Sequence, residues 1–397
     1  MSKHHLGNYL QQYAEPESRE LPINRFSVSY DVVLAIPAYR ESTEFLSRLY
    51  AQRFLKVNKL LLVLVSNHPT GLVDDDAQLA IQSHEALEEF LPAPQWSENQ
   101  ISFHPAEHLD TILVARTGDR ALDSKQATGL ARKIGVDIGA RFVCETLCRS
   151  KWIFNTDADT SLPPDFFSAM DRAEQNTVAM IYPFRHIGGT RAVQAATELY
   201  ERKLNYHVKS LTTAGSPYAF HSLGSVMIVE VNAYAKVRGF PKRIAGEDFY
   251  LLNKLAKVGR VMQLTGSTVD IFSRNSDRVP FGTGPAIQKI MDQSHISDPR
   301  IFYHPKIYEL LSFFIDHYSK ISECNTVPKE INEVCEYLQW DLFLAHSERQ
   351  KLNAEQFKYH FHSWFDGFKT LKFIHFMRDR YYPNVDEKEL QQFTLKE

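Results

Sequence analysis

Two carboxylates separated by one residue follow a short apolar run in the middle of the chain. Asp157 and Asp159 come directly after residues 151–155, and a Pro-rich turn follows them. The apolar run predicts a buried strand, which would deliver both acids at its carboxyl end. Carboxylate oxygens are ligands of Mg²⁺ and Mn²⁺, which commonly link a protein acid to phosphate groups. The pair therefore indicates a metal site, unless it is only a solvated turn that caps the helix predicted to follow.

A second acidic pair, Glu247 and Asp248, follows Gly246 and opens a predicted helix. Acids in the first turn of a helix stabilise it by roughly 0.3 to 1 kcal/mol each, which would account for the pair without any function. A carboxylate held beside a hydroxyl group could instead serve as a general base. Both interpretations stay open on the residues alone.

Two basic segments could bind an anion. The four-residue spacing of apolar residues predicts a helix over residues 127–147. Arg132 lies near the start of this helix. Arg274 and Arg278 lie in a segment with two glycines, where backbone amides can bind anions. This segment lacks the P-loop pattern, which excludes that class of nucleotide site. Exposed arginines are also ordinary protein surface, so both segments remain candidates.

The elements that must position these residues alternate between strands and helices. Apolar runs predict buried strands at residues 30–37, 59–67, 111–115, 151–155 and 177–182. The order predicts an α/β fold with a mostly parallel sheet flanked by helices, and ligands of such sheets bind beyond the carboxyl ends of the strands. Residues 70–100 predict a helix and an exposed loop, residues 191–209 a further helix and residues 225–230 a further strand. Aromatic-rich helical patterns beyond residue 290 predict a helical C-terminal unit.

Composition narrows the class of partner and the compartment. The 397 residues include 45 basic and 48 acidic side chains, so no overall field favours nucleic acid. The four cysteines lack the spacing of a zinc site, and with no apparent secretory signal they predict a cytoplasmic protein. Apolar runs are far shorter than the roughly 20 residues of a membrane-spanning helix, while peripheral membrane contact stays open.

Taken in order, these segments resemble the family 2 glycosyltransferases. Residues 35–41 (AIPAYRE) resemble the opening strand and loop of that family, and residues 129–135 (GLARKIG) resemble its "ARNxG" helix. Asp157-Ala158-Asp159 resembles its DxD motif. Residues 237–241 (VRGFP) with 246–248 (GED) resemble its "GGF…ED" element, although Arg238 replaces the first glycine. The resemblance covers roughly residues 29–285.

The resemblance implies a GT-A fold, a nucleotide-diphosphate sugar donor, Mn²⁺ or Mg²⁺ at the DxD motif, and transfer with inversion. By position, Asp157 would lie near the ribose and the metal, and Asp159 would bind the metal. Asp248 would be the general base, and Glu247 would orient the acceptor or that base. The donor would also contact other residues that match the family or carry suitable charge: Pro37, Ala38, Glu41, Arg132, Arg274 and Arg278.

Two departures from the family pattern bear on the substrates. The second strand ends in Asn67, where the family commonly has an aspartate that contacts the nucleobase. Asparagine both donates and accepts hydrogen bonds, so Asn67 is a donor-site candidate that leaves the base open. The QxxRW segment of the family is missing, as are the membrane helices of its polymer synthases, which favours transfer of a single sugar.

The acceptor stays unidentified and could be a carbohydrate, a lipid-linked molecule or a small molecule. His221 precedes a predicted strand and is the candidate acceptor contact. The sequence divides into an N-terminal extension (1–28), a nucleotide-sugar-binding half (29–182), an acceptor-side half (183–289) and the helical C-terminal unit (290–397).

Other functions compete with this prediction. A retaining transferase on the same fold is the nearest, and a non-catalytic nucleotide-sugar sensor or scaffold is the most distant. A nucleotidyltransferase would have a Gly-rich loop after the first strand, which residues 37–40 do not form. The phosphatase motif DxDxT requires threonine where this chain has Ser161.

Overall fold

The computed structural model describes residues 2–273, 283–292, 299–319 and 327–394. The chain forms two compact units. The first unit comprises Met1–Gly189 and Ser222–Pro285, and the second comprises Thr190–His221 and Ala286–Glu397. These units divide the chain at other points than the four segments expected from the sequence.

A nine-stranded sheet forms the centre of the first unit. Its spatial order is β11-β8-β10-β6-β1-β2-β5-β4-β3. The strands are β1 (Val32–Ala38), β2 (Leu60–Asn67), β3 (Trp96–Glu98), β4 (Ile101–His104), β5 (Leu109–Arg116), β6 (Trp152–Asn155), β8 (Thr177–Ile181), β10 (Met227–Glu230) and β11 (Arg260–Gln263). Strands β4 and β10 run opposite to the others. The predicted mostly parallel α/β fold is therefore confirmed.

The central strands β6, β1, β2 and β5 are neighbours and all parallel. Strands β2 and β6 are buried along their whole length. Burial on both faces explains why their sequences read as continuous apolar runs rather than as alternating patterns. The carboxyl ends of these four strands meet at one edge of the sheet, so the residues that follow them lie close together.

Seven helices lie wholly in the described part of the first unit. They are α1 (Ser2–Gln12), α2 (Pro16–Glu20), α3 (Glu44–Ala51), α4 (Asp74–Phe90), α5 (Ala127–Cys144), α7 (Val231–Lys236) and α8 (Glu247–Leu255). The helix α5 packs on β1, β2 and β6. Glycines allow this close approach, since a Cβ atom on Gly135 would lie 3.1 Å from the Cβ of Ala35.

A small three-stranded sheet completes the first unit. It has the order β7-β12-β9, with β7 (Thr160–Ser161), β9 (Phe184–Ile187) and β12 (Val269–Phe272). The pairing of β12 with β7 is antiparallel and that with β9 is parallel. The strand β7 begins one residue after Asp159, so this sheet anchors the turn that carries the two acids.

The second unit is helical. It contains α6 (Arg191–Thr213), α10 (Pro305–Tyr318), α11 (Lys329–Leu338), α12 (Trp340–Arg349), α13 (Ala354–Trp364), α14 (Gly367–Arg380), α15 (Glu387–Thr394) and most of α9 (Thr283–Asp292). Aromatic rings fill its main core, including Phe314, Phe361, Phe365 and Phe373. The predicted helical C-terminal unit is confirmed, and α6 from the middle of the chain is part of it.

The structure predicted from the sequence was wrong for two short stretches. The exposed loop expected before residue 100 contains β3, which forms an antiparallel hairpin with β4. The helix expected after the Pro-rich turn is a single 3₁₀ segment, Phe166–Arg172. The hairpin depends on the positive φ of Asn99 and Gln100 between its two strands, and both stretches are too short for an apolar pattern to identify them. Within the described residues, no helix is both long and apolar enough to span a bilayer.

Candidate functional site

Arg132 joins the two acidic pairs that the sequence singled out. Its Nε donates a hydrogen bond to Oε1 of Glu247 at 2.7 Å. Its Nη2 donates to Oδ2 of Asp157 at 3.0 Å, and Nη1 lies 2.8 Å from Oδ1 of the same carboxylate. The first acid of each pair is therefore bound to one guanidinium, although 90 residues separate the two acids in the sequence.

This cluster is buried within the first unit. The side chains of Arg132 and Glu247 are 7% and 5% exposed, whereas that of Asp157 is 29% exposed. Burial disfavours the charge of Arg132, but the carboxylates of Asp157 and Glu247 outweigh burial and raise its pKa. Arg132 is consequently a permanent cation, and its planar fork suits two carboxylates at once.

Gly224 makes room for the guanidinium. It begins a 3₁₀ turn directly before β10, and a Cβ atom at this position would lie 2.5 Å from Cζ of Arg132. Its carbonyl accepts a hydrogen bond from Nδ2 of Asn155 at 2.5 Å, at the end of β6. Its amide donates to Oδ2 of Asp248 at 3.0 Å. One glycine thus links the end of β6, the guanidinium and the second acid of the later pair.

Asp248 lies in the first turn of α8, beside Glu247. Gly246 at the N-terminus of α8 has φ of 72°, a conformation that favours glycine, and so turns the chain into the helix. The Oδ1 atom of Asp248 accepts from the amide of Phe249 at 2.6 Å. Its side chain keeps partial solvent access. Partial removal of its carboxylate from water is the main cause that raises the pKa of Asp248, to about 7. The negative charge of Glu247 is the second cause.

The turn after β6 holds Asp157 and Asp159 through its backbone. The hydroxyl of Thr160 donates to the carbonyl of Asp157 at 2.8 Å. The amide of Phe272, at the end of β12, donates to the carbonyl of Asp159 at 2.7 Å. Both side chains keep partial exposure while the backbone between them is fixed at two points. The turn presents the two carboxylates one residue apart, as the sequence predicted.

The donor set suits a hard divalent cation that is shared with a ligand. Asp159 supplies carboxylate oxygens beside Asp157, whose two oxygens face Arg132. Among the described residues, no group of three or more His, Cys, Asp and Glu side chains gathers in one place. Because Mg²⁺ takes one or two protein carboxylates and completes its shell with phosphate and water oxygens, the residues present fit such an ion.

The ends of β1 and β2 hold most of the remaining donor-site candidates. Nδ2 of Asn67 donates to the carbonyls of Ala38 at 3.2 Å and Val65 at 3.0 Å. Both N–H groups of this amide are therefore used, which leaves Oδ1 as its other polar atom. Pro37 precedes Ala38 in β1, and Glu41 lies in the loop that follows, where its carbonyl accepts from Oγ of Ser83 at 2.7 Å.

Sequence reasoning missed Arg48. It lies on α3 and lines a small cavity of about 10 Å³ together with Asp157, Thr160 and Ser161. Its guanidinium lies over the ring of Phe272 at 4.8 Å. Nε is buried, and in the described parts of the chain it has no hydrogen-bond partner. An arginine among polar residues of an apolar-faced helix was a weak signal, since its neighbours in space come from elsewhere in the sequence.

The other three predicted site residues are Arg274, Arg278 and His221. Arg274 and Arg278 fall outside the described residues. His221 belongs to the second unit. Burial lowers the pKa of His221 to about 4, so its imidazole is neutral at physiological pH.

A second buried polar cluster lies on α5, one residue after Arg132. Lys133 donates from Nζ to Oδ2 of Asp137 at 2.6 Å and to the hydroxyl of Tyr9 at 2.7 Å. Tyr9 on α1 and Tyr234 on α7 both donate to Oδ1 of Asp137, at 2.5 Å and 3.0 Å. The expected N-terminal extension is therefore built into the first unit, where it fixes the helix that carries Arg132.

The same cluster explains the glycine of the "GGF"-like segment. Gly239 has φ of 69°, and a Cβ atom there would lie 2.3 Å from the hydroxyl oxygen of Tyr9. Only glycine fits both the backbone conformation and the space. Arg238, which departs from the family pattern, instead lies over the ring of Tyr13 at 4.6 Å.

Chemically, the site combines a fixed cation between carboxylates with one acid whose pKa lies near neutrality. A carboxylate of this kind can accept a proton from a hydroxyl group at physiological pH. The partly exposed carboxylates after β6 can bind a divalent cation. Both sets of carboxylates lie at the carboxyl edge of a mostly parallel sheet, where ligands of such folds bind.

Comparison with known proteins adds little to this picture. No protein-family model matches the chain, and no curated protein matches it. A solved structure of the mannosyltransferase PcManGT from Pyrobaculum calidifontis, in complex with GDP-Man and Mn²⁺, shares 14% identity over 93% of this chain and 96% of its own, with a TM-score of 0.35. A mycobacterial protein shares 12% identity over 68% and 76%, with a TM-score of 0.31. Because both TM-scores are below 0.5, we draw no conclusion from these two structures.

Proposed function

We propose that this protein is a metal-dependent glycosyltransferase that moves one sugar from a nucleotide-diphosphate sugar to an acceptor hydroxyl, with inversion at the anomeric carbon. The observation that carries the proposal is the bridge through Arg132. It connects Asp157 of the DxD segment to Glu247, the neighbour of Asp248. A metal-binding segment and a base belong to one site in such an enzyme, and this bridge unites the two segments.

Asp248 is the proposed general base. Its raised pKa of about 7 makes it a stronger base than an ordinary aspartate. In the transfer step, its carboxylate takes the proton of the acceptor hydroxyl while the acceptor oxygen bonds to the anomeric carbon. The bond from that carbon to the diphosphate breaks on the opposite face, and the nucleoside diphosphate leaves with the electron pair. Attack opposite to the leaving group inverts the configuration.

Glu247 is a positioning residue in this proposal. Its carboxylate holds Nε of Arg132, and its negative charge is the second contribution to the raised pKa of Asp248. The sequence had assigned Glu247 to orienting the acceptor or the base. Its burial and its bond to Arg132 support the second of these roles.

Asp159, with Asp157 beside it, would hold the divalent cation, which would offset the negative charge that develops on the departing diphosphate. Asp159 is the principal ligand proposed, because it is the second acid of the DxD segment. Pro37, Ala38, Glu41 and Asn67 would border the nucleotide. Arg48 is an additional candidate for contact with the diphosphate, because it lines the cavity beside Asp157.

A thermal-shift screen of nucleotide sugars, with and without Mn²⁺, tests donor and metal together. A ligand that binds only the folded chain raises its melting temperature. The panel includes UDP- and GDP-linked sugars, and Asp159→Asn is compared with Asp119→Asn at an exposed position. We expect a metal-dependent shift that Asp159→Asn abolishes and Asp119→Asn retains. Equal shifts in both variants would remove Asp159 from metal binding.

The competing functions give different outcomes in the follow-up assay. With the donor identified, NMR of the product gives its anomeric configuration, and a retained configuration would overturn the inverting mechanism. Metal-dependent donor binding without hydrolysis or transfer under any condition would identify a sensor instead. Release of nucleoside diphosphate that requires Asp248 supports the transferase.

A further inference from the structure

A cationic cavity of about 210 Å³ lies entirely within the second unit. Four helical or helix-flanking segments contribute its basic lining residues, which are Lys203, Lys289, Arg300 and Arg378. No residue assigned to the proposed transfer reaction lines it. The cavity is smaller than the roughly 300–1,000 Å³ typical of drug-sized ligand sites, so it suits a small ligand.

The cavity carries an excess of positive charge. Arg378 is paired with Asp379, where Nε lies 2.6 Å from Oδ1, and Arg300 is paired with Glu389. Neither Lys203 nor Lys289 has a carboxylate within 4.0 Å among the residues that the structure describes. Two of the four cations are therefore uncompensated, although buried or clustered charges are normally paired.

The neighbouring groups respond to this positive charge. Burial lowers the pKa of Lys203, and the positive charges of Lys289 and Arg378 lower it further. Burial also lowers the pKa of His207 to about 4 and that of His375 below its ordinary value, and Lys203 contributes to both shifts. The side chains of Lys203, His207 and His375 are thus held toward their neutral forms, which an anion in the cavity would reverse.

A polar acceptor completes the lining. Oδ1 of Asn384 is buried and has no hydrogen-bond partner in the described residues. A buried acceptor without a partner is unfavourable, so a ligand that donates a hydrogen bond here would be favoured. The lining therefore suits a ligand that bears both an anionic group and a hydroxyl.

We propose that this cavity binds the phosphate group of a small hydroxylated phosphate ester, with Lys203 and Lys289 contacting the phosphate and Asn384 a hydroxyl. The proposal does not depend on the transferase function, because the cavity lies in another unit. The same chemistry is offered by a soluble sugar or polyol phosphate and by the phosphate headgroup of a lipid.

Titration calorimetry on the full chain tests the site, with inorganic phosphate and glycerol 3-phosphate as probes. Lys203→Gln removes the more buried of the two lysines. Lys289→Gln removes the exposed lysine, and this change is compatible with folding. Lys209→Gln, at an exposed position of α6, is the matched control. Circular dichroism confirms that each variant is folded.

We expect glycerol 3-phosphate to bind more tightly than phosphate, and both Lys203→Gln and Lys289→Gln to weaken binding about tenfold, as loss of a hydrogen bond to a charged group implies. Lys209→Gln should bind as the unsubstituted chain does. Sedimentation with vesicles of phosphatidylcholine, with or without phosphatidylglycerol, whose headgroup carries both a phosphate and hydroxyls, distinguishes the sources. Binding to phosphatidylglycerol that both variants weaken assigns a lipid headgroup, whereas binding of the soluble probes alone assigns a free phosphate ester. Failure of all probes to bind, or binding that neither variant changes, would overturn the proposal.

Discussion

Arg132 binds Glu247 through one edge of its guanidinium and Asp157 through the other, at 2.7 Å from Nε and 3.0 Å from Nη2. We expect Arg132→Gln to lower the free energy of unfolding by about 3–5 kcal/mol, because it leaves two carboxylates without their cation. Transfer activity should be lost with it. Unfolding in guanidinium chloride measures the loss of stability, and the rate of product formation measures the loss of transfer activity.

Arg141→Gln is the control for this change. Arg141 lies on the same helix and forms a partly exposed pair with Glu145, four residues away. Pairs of this kind contribute about 0.3–0.5 kcal/mol. A loss of stability in Arg132→Gln no larger than that in Arg141→Gln would contradict the bridging role.

Gly224→Ala should disturb the site while the fold is kept. The new Cβ would lie 2.5 Å from Cζ of Arg132, so the guanidinium must move. Overpacking of this size costs about 1–3 kcal/mol, and we expect at least about a tenfold fall in kcat. Gly7→Ala is the comparison, because among the described residues nothing apart from the adjoining backbone of its own helix lies within 4 Å of its Cβ position. Alanine stabilises a helix interior by about 0.5–1 kcal/mol relative to glycine. Full activity in Gly224→Ala would argue against a fixed position of Arg132.

The raised pKa of Asp248 predicts a pH dependence of both activity and stability. A base must be ionised, so kcat should rise with pH and level off above about 7. Between the ordinary aspartate pKa of about 3.9 and 7, the folded chain keeps a proton that the unfolded chain has lost. This contribution to stability is present at low pH and is lost as the pH rises through about 7.

Asp248→Asn removes this titration. We expect transfer to fall by about 10²- to 10⁴-fold, with donor and metal binding retained. Stability of the variant relative to the unsubstituted chain should increase from pH 5 to pH 8, as measured by guanidinium unfolding. Near-normal turnover would remove Asp248 from the role of base. A stability difference between the variant and the unsubstituted chain that is the same at pH 5 and pH 8 would contradict the raised pKa of Asp248.

Tyr9→Phe tests the N-terminal helices. The change removes a hydroxyl that lies 2.5 Å from Oδ1 of Asp137 and accepts from Lys133. Loss of one partner in a buried network should cost about 1–3 kcal/mol. Tyr13→Phe should cost less than about 0.5 kcal/mol, because Tyr13 is 40% exposed and its ring remains over Arg238. Equal unfolding curves for the two variants would mean that the hydroxyl of Tyr9 contributes nothing.

The sheet was predictable where strands are buried on both faces. Residues 60–65 form an unbroken apolar run because β2 is enclosed along its length, and the four-residue spacing in α5 reflects its packing on the sheet. The hairpin of β3 and β4 was not predictable. Asn99 and Gln100, which turn the chain between the two strands, both have positive φ, a conformation that neither residue type signals strongly.

The acids that meet at Arg132 belong to segments that the sequence singles out, whereas their arrangement was not predictable. Asp157 and Glu247 belong to recognisable segments, but only the fold reveals that Arg132 lies between them. Arg48 and Gly224 carry no local signal, because their importance comes from atoms that are distant in sequence. The N-terminal segment was predicted to be an extension because its sequence has no clear apolar pattern. Its contacts with Asp137 are hydrogen bonds from single polar atoms of Tyr9 and Glu15, which such patterns do not reveal.

The absence of a side chain at Gly224 has a consequence for how such a chain can change over evolutionary time. The space that a Cβ would need is filled by the guanidinium of Arg132, so a side chain at 224 is incompatible with the present position of that guanidinium. A lineage that gains a side chain at 224 must shorten the residue at 132 or lose the bridge between its two acidic segments. These two positions are therefore expected to substitute as a pair, and an alignment of relatives would reveal them as a correlated column pair.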